Sequence, residues 1–219
     1  MRLRSTAYRL RFAMMHGVLG IFLLLASAPV LAADKLVVAF GDSLMAGYGL
    51  KPGEGFAPRL EAALRAQRIP ARVHNAGVSG DTTAAGKARL GWVLNGLKRK
   101  PDLVIVELGG NDMLRGIKPE QTRANLDAIM AELRRRQIRF VIAGMLASPN
   151  MGPAFARSFN TTYPFLARKY GAPLYPFFMR GVAANRALLL KDGIHPNPRG
   201  VTVIVNGILP TVKAGLGVR

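Results

Sequence analysis

The feature that most constrains this chain is an alternation. Short apolar runs at residues 35–40, 72–75, 103–108, 139–145 and 173–175 are separated by longer stretches, 56–68, 83–97, 119–137 and 153–170, whose apolar residues recur at helical spacing. Pro119 and Pro153 open two of these stretches, where a missing N–H costs nothing, and a final helix is expected over about 198–212. Strands joined through helices run parallel, and helices on both faces bury them. The predicted fold is therefore α/β, a doubly wound three-layer sandwich around a central, mostly parallel five-stranded sheet. Ligands in such folds bind outside the carboxyl ends of the strands. Chemistry is to be sought in Gly41-Asp42-Ser43-Leu44, in residues 76–81, in Gly109-Gly110-Asn111-Asp112 and in residues 147–152.

The first 32 residues follow another pattern. Arg2, Arg4, Arg9 and Arg11 precede an apolar run at 18–32, and no acidic residue occurs before Asp34. That layout is expected of a secretory leader, with cleavage between Ala32 and Ala33 after Val30-Leu31-Ala32, a periplasmic or secreted destination, and one domain over 33–219. The rival reading is an uncleaved membrane anchor, although the run is shorter than the roughly 20 residues a span usually needs.

Absence of cysteine excludes a lipid-modified thiol, a disulfide framework and thiol catalysis. Metal ligation is poorly supplied, since the only histidines are His16, His74 and His195 and no HExxH spacing occurs. The formal charge of +19 is attractive to phosphate-rich surfaces such as anionic lipid. Removing the leader takes away four arginines and no acid, leaving +15. The densest clusters, Lys98-Arg99-Lys100 and Arg134-Arg135-Arg136, are expected in the last turns of two helices, where cations complement the helix dipole. No specific nucleic-acid partner is implied.

Ser43 directly follows an apolar strand, which suits either an exposed nucleophile or an ordinary serine capping the next helix. A serine nucleophile needs a base. His74 lies within a predicted strand and reads as a hydrogen-bonded structural histidine beside the core. His195 lies in the turn-forming segment Asp192-Gly193-Ile194-His195-Pro196, where Asp192 can accept from one ring nitrogen while the other faces a serine. Acyl transfer also requires donors for a developing oxyanion. Ser79-Gly80-Asp81 offers a backbone N–H without an obstructing side chain, and Asn111 offers an amide at a strand end; both residue types are also common in plain turns.

Taken together, these segments resemble the GDSL (SGNH) hydrolase family over nearly all of residues 35–219. Its four blocks are similar to Gly41-Asp42-Ser43-Leu44, to Asn75-Ala76-Gly77-Val78-Ser79-Gly80-Asp81-Thr82-Thr83, to Glu107-Leu108-Gly109-Gly110-Asn111-Asp112 and to Asp192-Gly193-Ile194-His195-Pro196, in order and separation. Leu114-Arg115-Gly116, Pro149-Asn150-Met151-Gly152 and Pro176-Phe177-Phe178-Met179 resemble its periplasmic thioesterase, arylesterase and lysophospholipase subgroup. The resemblance implies a flavodoxin-like sandwich and hydrolysis of acyl esters or thioesters, with Ser43 as nucleophile, Asp192 and His195 as its partners, and Ser43 N–H, Gly80 N–H and the Asn111 amide as oxyanion donors. It implies no cofactor and no metal. Met45 and Met151 depart from the family pattern, and these departures bear on acyl preference. The unusually apolar loops after the third and fourth strands predict an acyl groove bordered by Met113, Leu114, Ile117, Met151 and Phe155.

Two rival readings stand beside this one. An α/β-hydrolase elbow needs a second glycine where Met45 stands, and is rejected. An exported basic protein that holds anionic envelope polymers without turnover has only the charge in its favour.

Overall fold

The computed structural model describes residues 34–218, so the expected leader and its cleavage point lie outside the described residues. Five strands, β1 (Lys35–Gly41), β2 (Ala71–Gly77), β3 (Leu103–Glu107), β4 (Phe140–Ala143) and β5 (Leu174–Tyr175), form one sheet in the order β2-β1-β3-β4-β5, with every pair parallel. Each coincides with one of the five apolar runs. The helices are α1 (Ser43–Ala46), α2 (Phe56–Ala66), α3 (Thr83–Asn95), α4 (Gly110–Leu114), α5 (Pro119–Arg135), α6 (Pro153–Asn160), α7 (Thr162–Tyr170) and α8 (Pro198–Leu216). Among the described residues no helix is long and apolar enough to cross a membrane.

Strand order decides where the helices go. The crossover through α2 carries the chain from β1 to one neighbour, and that through α3 returns it past β1 to the opposite neighbour. Right-handed crossovers in opposite directions put α2 and α3 on opposite faces. Helix α8 packs with α2, and α5 packs with α3, completing two outer layers. Between them, Val37 to Phe40, all of β3 and Val141 to Ala143 are essentially inaccessible to solvent. The reversal of direction at β1 parts the loops that follow β1 and β3, which makes the crevice typical of this topology.

Several local expectations need correction. The stretch 153–170 is two helices, broken at Thr161. Pro164 explains the break: a continuous helix would need its missing N–H on Asn160, and its ring would crowd that carbonyl. Lys98-Arg99-Lys100 does not end a helix, because Gly96 caps α3 two residues earlier; Arg99 instead pairs with Asp102 at 2.9 Å. Arg134 and Arg135 do occupy the last turn of α5. His74 is exposed and not set beside the core, because β2 is an edge strand and only part of it is covered. The last helix continues to Leu216, where Gly217 closes it in a left-handed conformation.

At Gly77, β2 and α1 pass close to one another. A Cβ on Gly77 would lie 2.2 Å from the Ala46 nitrogen and 2.6 Å from the Met45 carbonyl carbon, both backbone atoms. Glycine is required here for space. Gly77→Ala is expected to cost about 1–3 kcal/mol through overpacking, read as a lowered midpoint in thermal unfolding; an unchanged midpoint would show that α1 gives way freely.

Candidate active site

β1 ends at Gly41, and the chain turns at once into the single turn α1. Asp42 is its N-cap: the carboxylate Oδ1 accepts the Leu44 N–H at 3.0 Å. The capping role that Ser43 might have had thus belongs to its neighbour. Ser43, half-buried, directs its hydroxyl across the crevice, with Oγ 2.9 Å from His195 Nε2.

His195 is held by its own loop. Asp192 Oδ2 is 2.7 Å from His195 Nδ1, while Asp192 Oδ1 accepts the N–H groups of Ile194 and His195 at 2.9 and 3.0 Å. Burial alone would raise the Asp192 carboxyl, but these hydrogen bonds and the facing imidazole prevail and lower it to about 2. The loop is closed by Leu190 N–H on the His195 carbonyl at 2.8 Å, and Asn197 anchors its far end by capping α8. The Tyr48 ring, half in solvent, lies 4.5 Å from the imidazole centroid at a tilt of 37°.

On the other side of Ser43, Gly80 stands in a left-handed turn (φ +85°), a conformation that favours glycine. Its carbonyl accepts from Arg115 Nη2 at 2.8 Å, and neither its N–H nor that of Ser43 has an acceptor among the described residues. Asn111, at the start of α4, brings its amide to the same place. Its Nδ2 donates to Asp42 Oδ2 at 3.1 Å and to the Asp81 carbonyl at 3.0 Å. The amide therefore ties the loops after β1, β2 and β3 together, a task the sequence does not disclose. An oxyanion would have to take one of these two hydrogen bonds.

Sequence reading also misses the clamp behind the crevice. Arg89 on α3 pairs with Asp81 Oδ2 at 2.5 Å, donates to the Gly41 carbonyl at 2.9 Å and lies 4.3 Å over the Phe40 ring. Eight residues separate Arg89 from Asp81, too many for a helix-face pair, so only the fold joins them. Buried Asp112 likewise accepts from Thr83 N–H at 2.8 Å and from the hydroxyls of Thr83 and Thr122, locking α4 to α3 and α5. Among the described residues no cluster of three or more His, Asp or Glu side chains is arranged to hold a metal.

The five apolar residues expected to border a groove have mixed placements. Met113 is half-buried, and its sulfur accepts the Ser148 N–H at 3.0 Å, joining the loops after β3 and β4. Ile117 and Met151 are half-buried, Phe155 stacks on Phe159 at 5.6 Å, and Leu114 stands 59 % exposed. A cavity of about 660 Å³ beside α6, lined by Pro153, Ala156, Arg157 and Arg168 among others, includes none of the five. Met45, expected from its departure from the family pattern to bear on acyl preference, is fully buried on the core side of α1. Two residues after Ser43, it turns back into the core.

Comparison with known proteins agrees with this architecture. Residues 39–203 match the GDSL-like lipase/acylhydrolase family model. Esterase TesA of Pseudomonas aeruginosa is 36% identical over 204 residues, covering 93% of this chain and 98% of the relative. Thioesterase 1/protease 1/lysophospholipase L1 of Escherichia coli K12 is 36% identical over 177 residues, covering 81% and 82%. Among solved structures, AlinE4, described as an SGNH-hydrolase family esterase, aligns with a TM-score of 0.72 at 50% identity, covering 83% of this chain and 96% of its own. With the family model spanning most of the chain and relatives at 36% identity aligned over 82% or more of their length, the chain belongs to the GDSL-like lipase/acylhydrolase family.

Proposed function

We propose that Ser43, His195 and Asp192 hydrolyse carboxylic esters and thioesters through an acyl-enzyme. One observation carries the reading: an unbroken relay from Asp192 Oδ2 through both imidazole nitrogens to Ser43 Oγ, at 2.7 and 2.9 Å. Neutral His195 takes the Ser43 proton as Oγ attacks the acyl carbonyl, and Asp192 stabilises the imidazolium. The tetrahedral oxyanion is received by the N–H groups of Ser43 and Gly80 and by the Asn111 amide. Collapse expels the alcohol or thiol, which takes the proton from His195. Water, activated by the same imidazole, then releases the acid and restores Ser43.

Aryl esters, acyl thioesters and lysophospholipids are the substrate classes the relatives' names suggest. Their acyl chains run along Met113, Leu114, Ile117, Met151 and Phe155. The protein acts in the periplasm after loss of residues 1–32, and its basic surface favours contact with anionic lipid. The rival reading, a binder without turnover, finds no support, since the relatives are named for the bonds they break.

Three outcomes test this reading. Ser43→Ala and His195→Ala each nearly abolish turnover of a chromogenic ester, whereas Asn111→Ala lowers kcat by about 10² to 10³ with little change in KM, as for loss of one oxyanion donor. Because Asn111 also braces Asp42 and Asp81, thermal melting accompanies the kinetics; a folded Asn111→Ala with full kcat removes the amide from the oxyanion site. Activity rises over several carbons of acyl length, each buried CH₂ contributing at most about 0.8 kcal/mol; a profile peaking at acetyl esters removes the groove. N-terminal sequencing of exported protein begins at Ala33, and intact Met1 protein in the membrane fraction would overturn the processing.

A further inference from the structure

Beneath the Ser43 loop lies an acid that the reaction above does not use. Glu107 is the last residue of the central strand β3, fully buried, and neither of its carboxyl oxygens has a hydrogen-bond partner among the described residues. Strand register sets it beside Gly41 of β1. A Cβ on Gly41 would lie 2.7 Å from Glu107 Oε2 and 2.6 Å from Met45 Cγ, so the glycine opens the space the carboxyl fills. Its polar neighbour there is Asp42, met through both backbone N–H and carboxyl. Arg89, which reaches the carbonyl of Gly41, is committed to that carbonyl and to Asp81.

Two adjoining carboxyls in such a place cannot both be ionised, and a buried carboxylate without a donor is costly. The environments of the two decide which keeps the proton. Asp42 has donors, the Leu44 N–H and the Asn111 amide, and faces His195; Glu107 has beside it only the Asp42 N–H, with which it forms no hydrogen bond of normal geometry. Burial and then the Asp42 charge push Glu107 well above its ordinary range. Burial raises Asp42 too, to about 6, against the pull of the Leu44 N–H, His195 and Asn111. A proton on Glu107 turns the apparent orphan into a donor, and Asp42 is the acceptor within reach.

We propose that Glu107 is a positioning residue of the hydrolytic site, holding a proton that it donates to Asp42 and so fixing the carboxylate that caps α1 and steadies the Asn111 amide. The inference rests on the reading of Ser43 and Asn111 given above. Glu107 touches neither substrate nor Ser43; it acts through Asp42. The other titratable groups around the pair are buried Tyr163, whose hydroxyl is spent on the Leu108 carbonyl at 2.9 Å, Asp112, Asp81 and His195.

The experiment compares Glu107→Gln and Glu107→Leu in the mature enzyme, with kcat, KM, the pH–rate profile and thermal melting. Gln keeps a neutral donor, so kcat stays within about three-fold of the parent; Leu leaves Asp42 without that donor, and kcat falls about ten-fold or more at nearly constant KM. Because the replaced group is already neutral, the pH–rate profile of Glu107→Gln superimposes on that of the parent. A shift of its acid limb to lower pH would mean that a negative charge beside Asp42 and His195 had been removed, and would overturn the proposal. So would a folded Glu107→Leu with the parent's kcat. If the leucine variant does not fold, the glutamine profile and a ¹³C titration of the labelled Glu107 carboxyl in the parent decide, with an ionised carboxyl at neutral pH again overturning it. Labelling of Ser43 by an organophosphonate, read by mass, tests the underlying reading separately. An unlabelled Ser43 sinks both, whereas a labelled one with unaltered leucine-variant kinetics sinks this inference alone.

Discussion

The end of β1 is the point from which the site is suspended. Because β1 lies between β2 and β3, and the chain crosses from it to one neighbour and then back past it to the other, its end meets three loops at once. Asp42 is the residue that exploits this position. One oxygen caps the turn carrying Ser43, the other receives Asn111 from beyond β3, and Asn111 in turn grips the carbonyl of Asp81 beyond β2. Each interaction is worth only about 1–3 kcal/mol singly. Together they make the positions of Ser43, Gly80 and Asn111 depend on one buried carboxylate.

Such a centre needs support from outside, since buried polar groups are tolerated only when satisfied. Arg89 provides part of it by linking the Asp81 carboxylate to the Gly41 carbonyl over the face of Phe40. Asp112 provides another part by gathering Thr83 and Thr122 into a wholly buried network one residue beyond Asn111 in α4. The short helices α1 and α4 are too brief to be stable by themselves. They exist because caps and clamps on neighbouring elements hold them at the mouth of the crevice.

The site separates its acids by environment. Asp192 sits near solvent with three donors and stays ionised to strongly acidic pH, the condition for steadying an imidazolium. Asp42 and Glu107 are withdrawn from water and sit at the other extreme, where a proton is retained. The ionised Asp192 thus faces His195, while beneath Ser43 the proton proposed on Glu107 leaves the pair a single negative charge, on Asp42.

Much was legible in the sequence because periodicity and turn chemistry are local properties. Five apolar runs read as five strands, their alternation with helices required parallel pairing, and the Asp192–His195 spacing already allowed the carboxylate to reach its imidazole. The break at Thr161 is legible too, in Pro164, whose missing N–H cannot continue a helix begun at Pro153. Other roles arise between residues far apart in the chain. Nothing near Asn111 announces that Asp42 and Asp81 will take its amide, nothing near Arg89 points to Gly41, and His74 becomes exposed only because its strand falls at the sheet edge. Glu107 lies between: an acid inside an otherwise apolar strand signals a buried polar group. Its neighbour, and hence its protonation, follows from strand register, because the energy of a buried charge depends on what stands within a few ångströms of it and not on where that group lies in the chain.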